Sequence, residues 1–174
     1  FPDTVEIITN FIKSRVTDAE SDGVVLGLSG GLDSAVTLSL AVSALGSEKV
    51  TGLIMPFNET ESVTLAKDHA ESLSVKTVTI NITDIVSSYK ESSALFSEKL
   101  SEGNLHSRIR MSLLYGHGFS SNSLVIGTSN KSELLIGYYT KWGDGGTDFL
   151  PIGDLYKSQI FKLGKLLNVP LEIL

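Results

Sequence analysis

The sequence predicts an α/β fold, a doubly wound parallel sheet of Rossmann-like layout with helices on both faces. Short apolar runs alternate along the chain with segments of helical periodicity, the pattern expected of β-α-β units. The predicted strands cover residues 24–28, 50–55, 78–82 and 124–127. No internal repeat or linker interrupts the alternation. Residues 1–174 are therefore expected to form one domain, shortened at both ends.

The predicted helices occupy the segments between these strands. They cover residues 5–16, 34–45, 61–73, 105–115, 131–136 and 154–167. The segment 34–45 is apolar on most sides, which is typical of a buried crossover helix. Asn104 is expected to cap the helix that follows it, and Asp154 to cap the last helix. His69 lies on the polar side of its helix and is expected at the surface.

The composition excludes several classes of protein. Apolar residues make up 41% of the chain and charged residues 20%, which suits a folded core and excludes a disordered chain. The net charge of −6 argues against nucleic acid or a membrane as partner, because phosphate surfaces attract basic proteins. The absence of cysteine excludes disulfides, thiolate metal sites and cysteine nucleophiles. We expect a soluble, cytoplasmic protein.

The segment after the first strand has the features of an anion-binding loop. Adjacent glycines let the backbone approach a ligand closely, and the following helix presents free N–H groups to an anion. Two serines add hydroxyl donors, and an aspartate can hold a cation beside phosphates. The eight residues are Gly27, Leu28, Ser29, Gly30, Gly31, Leu32, Asp33 and Ser34.

Known loop motifs leave one alternative for this segment. The spacing of Walker A is absent, and so is the G-x-G-x-x-G dinucleotide motif. The nucleophile elbow G-x-S-x-G matches residues 27–31, so a serine hydrolase using Ser29 stays open, with His106 or His117 as base. Against it, only one helix precedes the first strand, and nothing near either histidine marks an orienting acid.

Two resemblances indicate the chemistry. Ser29–Ser34, with the pattern Ser-Gly-Gly-x-Asp-Ser, resembles the pyrophosphate loop of the N-type ATP pyrophosphatases. Within that superfamily the chain resembles ammonia-dependent NAD synthetases, on the segments 103–111, 127–133, 137–148 and 151–157. The resemblance implies ATP-dependent amidation of deamido-NAD with ammonia through an adenylated intermediate, releasing AMP and pyrophosphate. Another synthetase of the superfamily is the alternative, and a nucleotide-binding sensor is a non-enzymatic one.

The resemblance also implies a set of site residues and a homodimer. ATP would bind residues 27–34, Thr128 and Lys157, and Mg²⁺ would bind Asp33 and Glu133. Hard oxygen ligands of this kind suit that ion. Lys157 is expected in the first turn of a helix, where a cation is disfavoured unless an anion binds there. Deamido-NAD would contact Arg108, Tyr138, Lys141, Asp144 and Asp148.

Two departures from the family pattern affect the expected site. Members of the family that this chain resembles continue past residue 170, through a segment with another hydroxyl contact to ATP and a His-Lys pair near the C-terminus. After the second strand, Ile54-Met55-Pro56 offers no arginine to the adenine, so hydrophobic and backbone contacts are expected there. For Arg110, a salt bridge and a ligand contact are both open.

Overall fold

The computed structural model describes residues 2–58 and 60–174. Its strands are β1 (Gly23–Gly27), β2 (Val50–Ile54), β3 (Lys76–Thr79) and β4 (Ser123–Val125). Its α-helices are α1 (Pro2–Asp18), α2 (Leu32–Leu45), α3 (Glu61–Ser72), α4 (Thr83–Ser92), α5 (Lys99–Ser120), α6 (Lys131–Ile136) and α7 (Lys157–Leu166).

The four strands form one parallel sheet in the order β3-β2-β1-β4. Val24 of β1 pairs with Val50 of β2 on one side and with Leu124 of β4 on the other. A central parallel strand is covered on both faces, which is why β1 is a continuous apolar run. The predicted doubly wound α/β fold is confirmed.

Helices cover both faces of this sheet, and each face has its own hydrophobic core. Helices α1, α3 and α7 pack with α2 on one face, over a core that includes Ile12, Leu38 and Ile160. Helix α5 packs on β1 and β4 from the other face, with α4 beside it and Val25 and Ile109 in the core. Among the described residues, no helix is long and apolar enough to cross a membrane.

Two expected helix starts are wrong. Helix α5 begins at Lys99, so Asn104 lies inside it and instead accepts a hydrogen bond from Thr140 Oγ1 at 2.8 Å. Helix α7 begins at Lys157, after Tyr156 rather than Asp154, because the backbone before it forms turns. At the start of α7, Tyr156 N donates a local hydrogen bond to Gln159 Oε1 at 2.8 Å.

The region at the end of β3 contains a helix that the sequence pattern does not predict. Helix α4 is short and mostly polar, and Val86 is its one buried residue. Strand β3 ends at Thr79, earlier than predicted. Ile80 and Ile82 still donate backbone hydrogen bonds, to the carbonyls of Ile54 and Pro56, at 2.9 Å each.

The expectation that His69 is at the surface is also wrong. The residue is only 4% exposed, because α3 turns this side toward α2. Its Nε2 lies 3.2 Å from the Ala35 carbonyl oxygen and 3.2 Å from Ser39 Oγ. Burial lowers the pKa of His69, and the Ala35 carbonyl opposes that shift. His69 thus links α3 to the first turns of α2.

Candidate functional site

The loop between β1 and α2 is held in shape by its own serines. Gly31 N donates to Ser29 Oγ at 3.2 Å, and Ser34 Oγ donates to the Gly31 carbonyl at 2.9 Å. The two hydroxyl oxygens lie 3.1 Å apart. Gly30 has a φ of +79°, and a Cβ there would lie 2.1 Å from the Ser62 carbonyl oxygen. Only glycine fits this turn against α3.

A polar cluster joins the start of α2 to α6 and α7. Asp33, in the first turn of α2, forms an ion pair with Lys157 and accepts a hydrogen bond from Asn130 Nδ2 at 3.3 Å. Asn130 also caps α6: its backbone N donates to Glu133 Oε2 at 3.1 Å, and Glu133 N donates to Asn130 Oδ1 at 3.0 Å. The cluster therefore brings together the predicted Asp33, Glu133 and Lys157.

The charges of this cluster favour a bound cation. Burial raises the pKa of Glu133, and the negative charge of Asp33 raises it further. Carboxylate oxygens in this setting are the donors that Mg²⁺ prefers. No third carboxylate or histidine completes a metal-binding group in the described part of the chain. Asp33 and Glu133 are the residues that could hold a metal ion.

A cleft of about 500 Å³ opens at the carboxyl ends of β1, β2 and β4. Its walls include Leu28, Met55, Phe57 and Met111, which form an apolar surface suited to a planar base. Ser29 and Thr128 lie in the wall at the ends of β1 and β4. Asp33, Glu133 and Lys157 lie beside this wall rather than in it. The cleft and the polar cluster meet at the loop after β1.

The residues expected to contact deamido-NAD lie in two places. Asp144 lines the cleft, and its Oδ1 accepts a hydrogen bond from Thr140 N at 2.8 Å. Arg108 lies on another side of α5, where its Nε and Nη2 donate to the Lys141 carbonyl at 3.3 Å each. Tyr138 is 75% exposed. The structure therefore gathers Arg108 with Lys141, away from the cleft.

Asp148 has a structural role in the loop that carries it. Its Oδ2 accepts a hydrogen bond from Val125 N at 2.7 Å, and its Oδ1 accepts one from Tyr115 Oη at 3.1 Å. Burial, together with the carboxylate of Asp148, raises the pKa of Tyr115 to about 12. These bonds tie the Gly-rich segment 143–148 to β4 and α5.

The structure adds Asn130 to the site and places Arg110, whose role the sequence left open. Asn130 bridges Asp33 and Glu133, and the Ser/Thr/Asn-x-x-Glu spacing of a capping box could have revealed it. Arg110 lines the cleft and donates from Nε to the Met55 carbonyl at 2.9 Å. This corrects the expectation that only hydrophobic and backbone groups lie at the end of β2. Among the described residues Arg110 makes no salt bridge.

The geometry does not favour the serine hydrolase alternative. Ser29 Oγ is engaged with Gly31 N and Ser34 Oγ, and no histidine of the described chain lies within hydrogen-bond distance of it. His106 stacks on Phe57 with ring centroids 4.4 Å apart. A nucleophilic serine needs a base within hydrogen-bond reach.

An anion-binding loop, a carboxylate pair beside it and a base-sized apolar cleft at a switch point of the sheet define a nucleotide-binding α/β protein. Comparison with known proteins narrows this class. The family model described as NAD synthase matches residues 4–174, and the chain belongs to this family.

Individual relatives agree with that assignment. The NH3-dependent NAD+ synthetase of Archaeoglobus fulgidus is 52% identical over 100% of this chain and 71% of its own length. The solved NH3-dependent NAD synthetase of Campylobacter jejuni, in complex with nitrate, is 42% identical with a TM-score of 0.95, over 99% of this chain and 75% of that one. The NMN synthetase of Francisella tularensis is 37% identical with a TM-score of 0.93, over 99% and 72%.

Proposed function

We propose that this protein is a ligase that amidates deamido-NAD to NAD with ammonia, at the expense of ATP. The carboxylate of deamido-NAD attacks the α-phosphorus of ATP, and pyrophosphate leaves. Ammonia then attacks the acyl carbon of the adenylate, loses a proton, and AMP leaves. The observation that carries this proposal is the meeting of the Ser29–Ser34 loop with the apolar cleft, in a chain of the NAD synthase family.

The chain's residues would act by binding and orienting the two substrates. The cleft would hold the adenosine of ATP, with Thr128 at its β4 side. The N–H groups in the first turn of α2, at Leu32, Asp33 and Ser34, would receive the phosphates, and Lys157 would neutralise the departing pyrophosphate. Arg108, Tyr138, Lys141, Asp144 and Asp148 are proposed contacts of deamido-NAD, as the family resemblance implies.

Asp33 and Glu133 are the proposed ligands of Mg²⁺. Their fit rests on two observations: both are carboxylates joined through Asn130, and burial together with Asp33 disfavours the charged form of Glu133. A bound Mg²⁺ would neutralise charge on the phosphates. Asp33 in its ion pair with Lys157 would align that lysine beside the same phosphates.

We further propose that residues 1–174 act as one domain and that two copies pair. Apolar side chains exposed on and before α5 support pairing, since Leu95, Leu100 and Phe119 are 79%, 78% and 93% exposed. Sedimentation of the full-length protein at micromolar concentration checks this, and a strict monomer would contradict it. The cytoplasmic location stays a prediction.

An assay of the full-length protein with ATP, Mg²⁺ and deamido-NAD tests the reaction. We expect NAD and pyrophosphate from ammonium, and none from ammonia-free glutamine, as the name of the similar NH3-dependent synthetase of Archaeoglobus fulgidus implies. At limiting ammonium the rate should rise above neutral pH, because the neutral amine is the nucleophile. Pyrophosphate release that does not need deamido-NAD would contradict the proposal.

Nicotinate mononucleotide in place of deamido-NAD gives the control for substrate size. Among similar structures, one is named an NMN synthetase. We expect the dinucleotide to give the higher kcat/KM, because Arg108 and the charged end of Lys141 lie outside the cleft, where a longer substrate would extend. Preference for the mononucleotide would reassign the substrate and leave the ligase chemistry intact.

A further inference from the structure

Helix α5 turns one of its arginines into the cleft. Ser107, Arg110, Met111 and Leu114, at spacings of three and four residues, form the face of α5 that lines the cleft. Arg110 is held there by the hydrogen bond from its Nε to the Met55 carbonyl at 2.9 Å. The guanidinium is thereby fixed at the end of β2, inside the wall of the cleft.

Among the described residues, no carboxylate forms an ion pair with this cation. No carboxylate within residues 2–58 and 60–174 lies within 4.0 Å of the guanidinium, and its remaining N–H groups have no hydrogen-bond acceptor in that part of the chain. Burial lowers the pKa of Arg110, and the charge of Asp144 offsets this only in part. A partly buried cation whose charge is only partly offset is stabilised by an anionic ligand in the cleft.

The position of Arg110 identifies which anion it meets. Along the cleft wall it lies between Met55 at the end of β2 and Asp144 of the Gly-rich segment. The Ser29–Ser34 loop and Lys157, which suit the departing pyrophosphate, lie on the β1 and α7 side. The apolar part of the cleft suits the adenosine. The AMP half of ATP that contains this adenosine has a single anionic group, the α-phosphate.

We infer that Arg110 is a substrate-binding residue that donates to the α-phosphate oxygens of the nucleotide in this cleft. The inference rests on the proposed use of ATP. Arg110 then differs in role from Arg108, two residues earlier on α5, whose guanidinium donates to the Lys141 carbonyl outside the cleft. A guanidinium also suits this position because it holds Met55 and a phosphate at once, through separate N–H groups.

Steady-state kinetics of Arg110→Gln and Arg110→Lys test the inference in the full-length protein. We expect Arg110→Gln to raise the KM of ATP at least about tenfold, with a smaller rise for Arg110→Lys. The KM of deamido-NAD should change less than about twofold. Inhibition by AMP should weaken in parallel with ATP, whereas inhibition by pyrophosphate should not change.

Two matched variants control for position and charge. Arg108→Gln should raise the KM of deamido-NAD rather than that of ATP. Lys99→Gln removes an exposed cation from the first turn of α5 and should change neither KM. A larger change for deamido-NAD than for ATP in Arg110→Gln would overturn the inference. So would unchanged constants with a lowered melting temperature, which would show a purely structural residue.

Footprinting of the wild-type protein needs neither a variant nor turnover. The chain has three arginines, at positions 15, 108 and 110, and phenylglyoxal labelling can be mapped to each by mass spectrometry. AMP should protect Arg110 and leave Arg15, which pairs with Asp18 on α1, unprotected. Equal labelling of Arg110 with and without AMP would overturn the inference, while loss of wild-type amidation alone would count only against the proposed function.

Discussion

Two loops of the site are held in shape by different kinds of contact. In the loop after β1, the hydrogen bonds among Ser29, Gly31 and Ser34 span at most five residues of sequence. In the Gly-rich region 140–148, Asp148 bonds to Val125 and Tyr115, which lie 23 and 33 residues away. The side-chain hydrogen bonds that close the first loop are therefore local, whereas the second region adds bonds to β4 and α5 to its own local bonds, such as the one from Thr140 N to Asp144 Oδ1.

The difference matches the roles proposed for the two loops. A loop closed by its own serines can bind phosphates wherever a strand meets a helix. A loop tied to β4 and α5 can recognise one substrate only after those elements have packed. Phosphate binding and substrate recognition are thus assigned to different loops. The following variants test whether each of the two can be impaired without the other.

The largest effect on turnover is expected at Asp33, which follows the first loop, and at Glu133, which α6 brings beside it. Asp33→Asn and Glu133→Gln keep the side-chain shapes but remove the charges proposed to bind Mg²⁺. Each should lower kcat roughly 100- to 1000-fold at saturating substrates. Circular dichroism should show an unchanged fold, because the amide introduced by Glu133→Gln keeps an oxygen acceptor for the Asn130 backbone. Near-wild-type turnover in either variant would contradict the two-carboxylate site.

Gly30→Ala tests the rigidity of the first loop. The new Cβ would clash with the Ser62 carbonyl at a φ of +79°, so we expect a loss of about 2 kcal/mol or more in unfolding free energy. Gly137→Ala is the matched control, because its φ is +70° but nothing lies within 4 Å of the added Cβ. It should lose only about 1 kcal/mol. Urea titrations giving equal losses would show that the contact with α3 is unimportant.

Asp148→Asn tests the tertiary attachment of the second loop. An amide can accept one of the two present hydrogen bonds well, so we expect a loss of about 1–3 kcal/mol in stability. The KM of deamido-NAD should rise, and that of ATP should stay within about twofold. Tyr115→Phe removes only one of the bonds and should cost about 1 kcal/mol. Equal changes in both KM values would show that the two loops are not separable.

The smallest effect is expected at His69, which contacts the first turns of α2, the helix that follows the first loop. Burial lowers the pKa of His69 in the folded protein below the ordinary 6.5. The unfolded chain therefore takes up the proton first, and stability falls as pH drops below about 6.5. His69→Gln should cost about 1 kcal/mol at pH 7.

The pH dependence of unfolding separates this contribution from that of other groups. In His69→Gln the slope of unfolding free energy between pH 7 and pH 5 should be smaller than in the wild type. Burial also lowers the pKa of His106. His106 therefore makes the unfolding free energy fall with decreasing pH in both the variant and the wild type, and this common slope is the background. An unchanged slope in the variant would contradict the role assigned to His69.

Local signals in the sequence are enough to predict the fold class and the first loop. Alternating apolar strands and periodic helices are signals of this kind, and so is the run Ser29–Ser34, whose hydrogen bonds join near neighbours. The predicted Asp33, Glu133 and Lys157 also come together. Their mutual geometry needs Asn130, which belongs to a local capping box but reaches Asp33 across 97 residues.

Which surfaces face one another depends on tertiary packing alone. The polar pattern of α3 cannot reveal that His69 meets Ala35 across the packed helices. Helix α4 is short and mostly polar, with Val86 as its one buried residue, so its apolar signal is weak in the sequence. The two arginines of α5 are two residues apart in sequence, yet one lines the cleft and the other bonds to the Lys141 carbonyl. Helical rotation of about 100° per residue separates their faces, and what each face meets depends on the sheet that the whole chain builds.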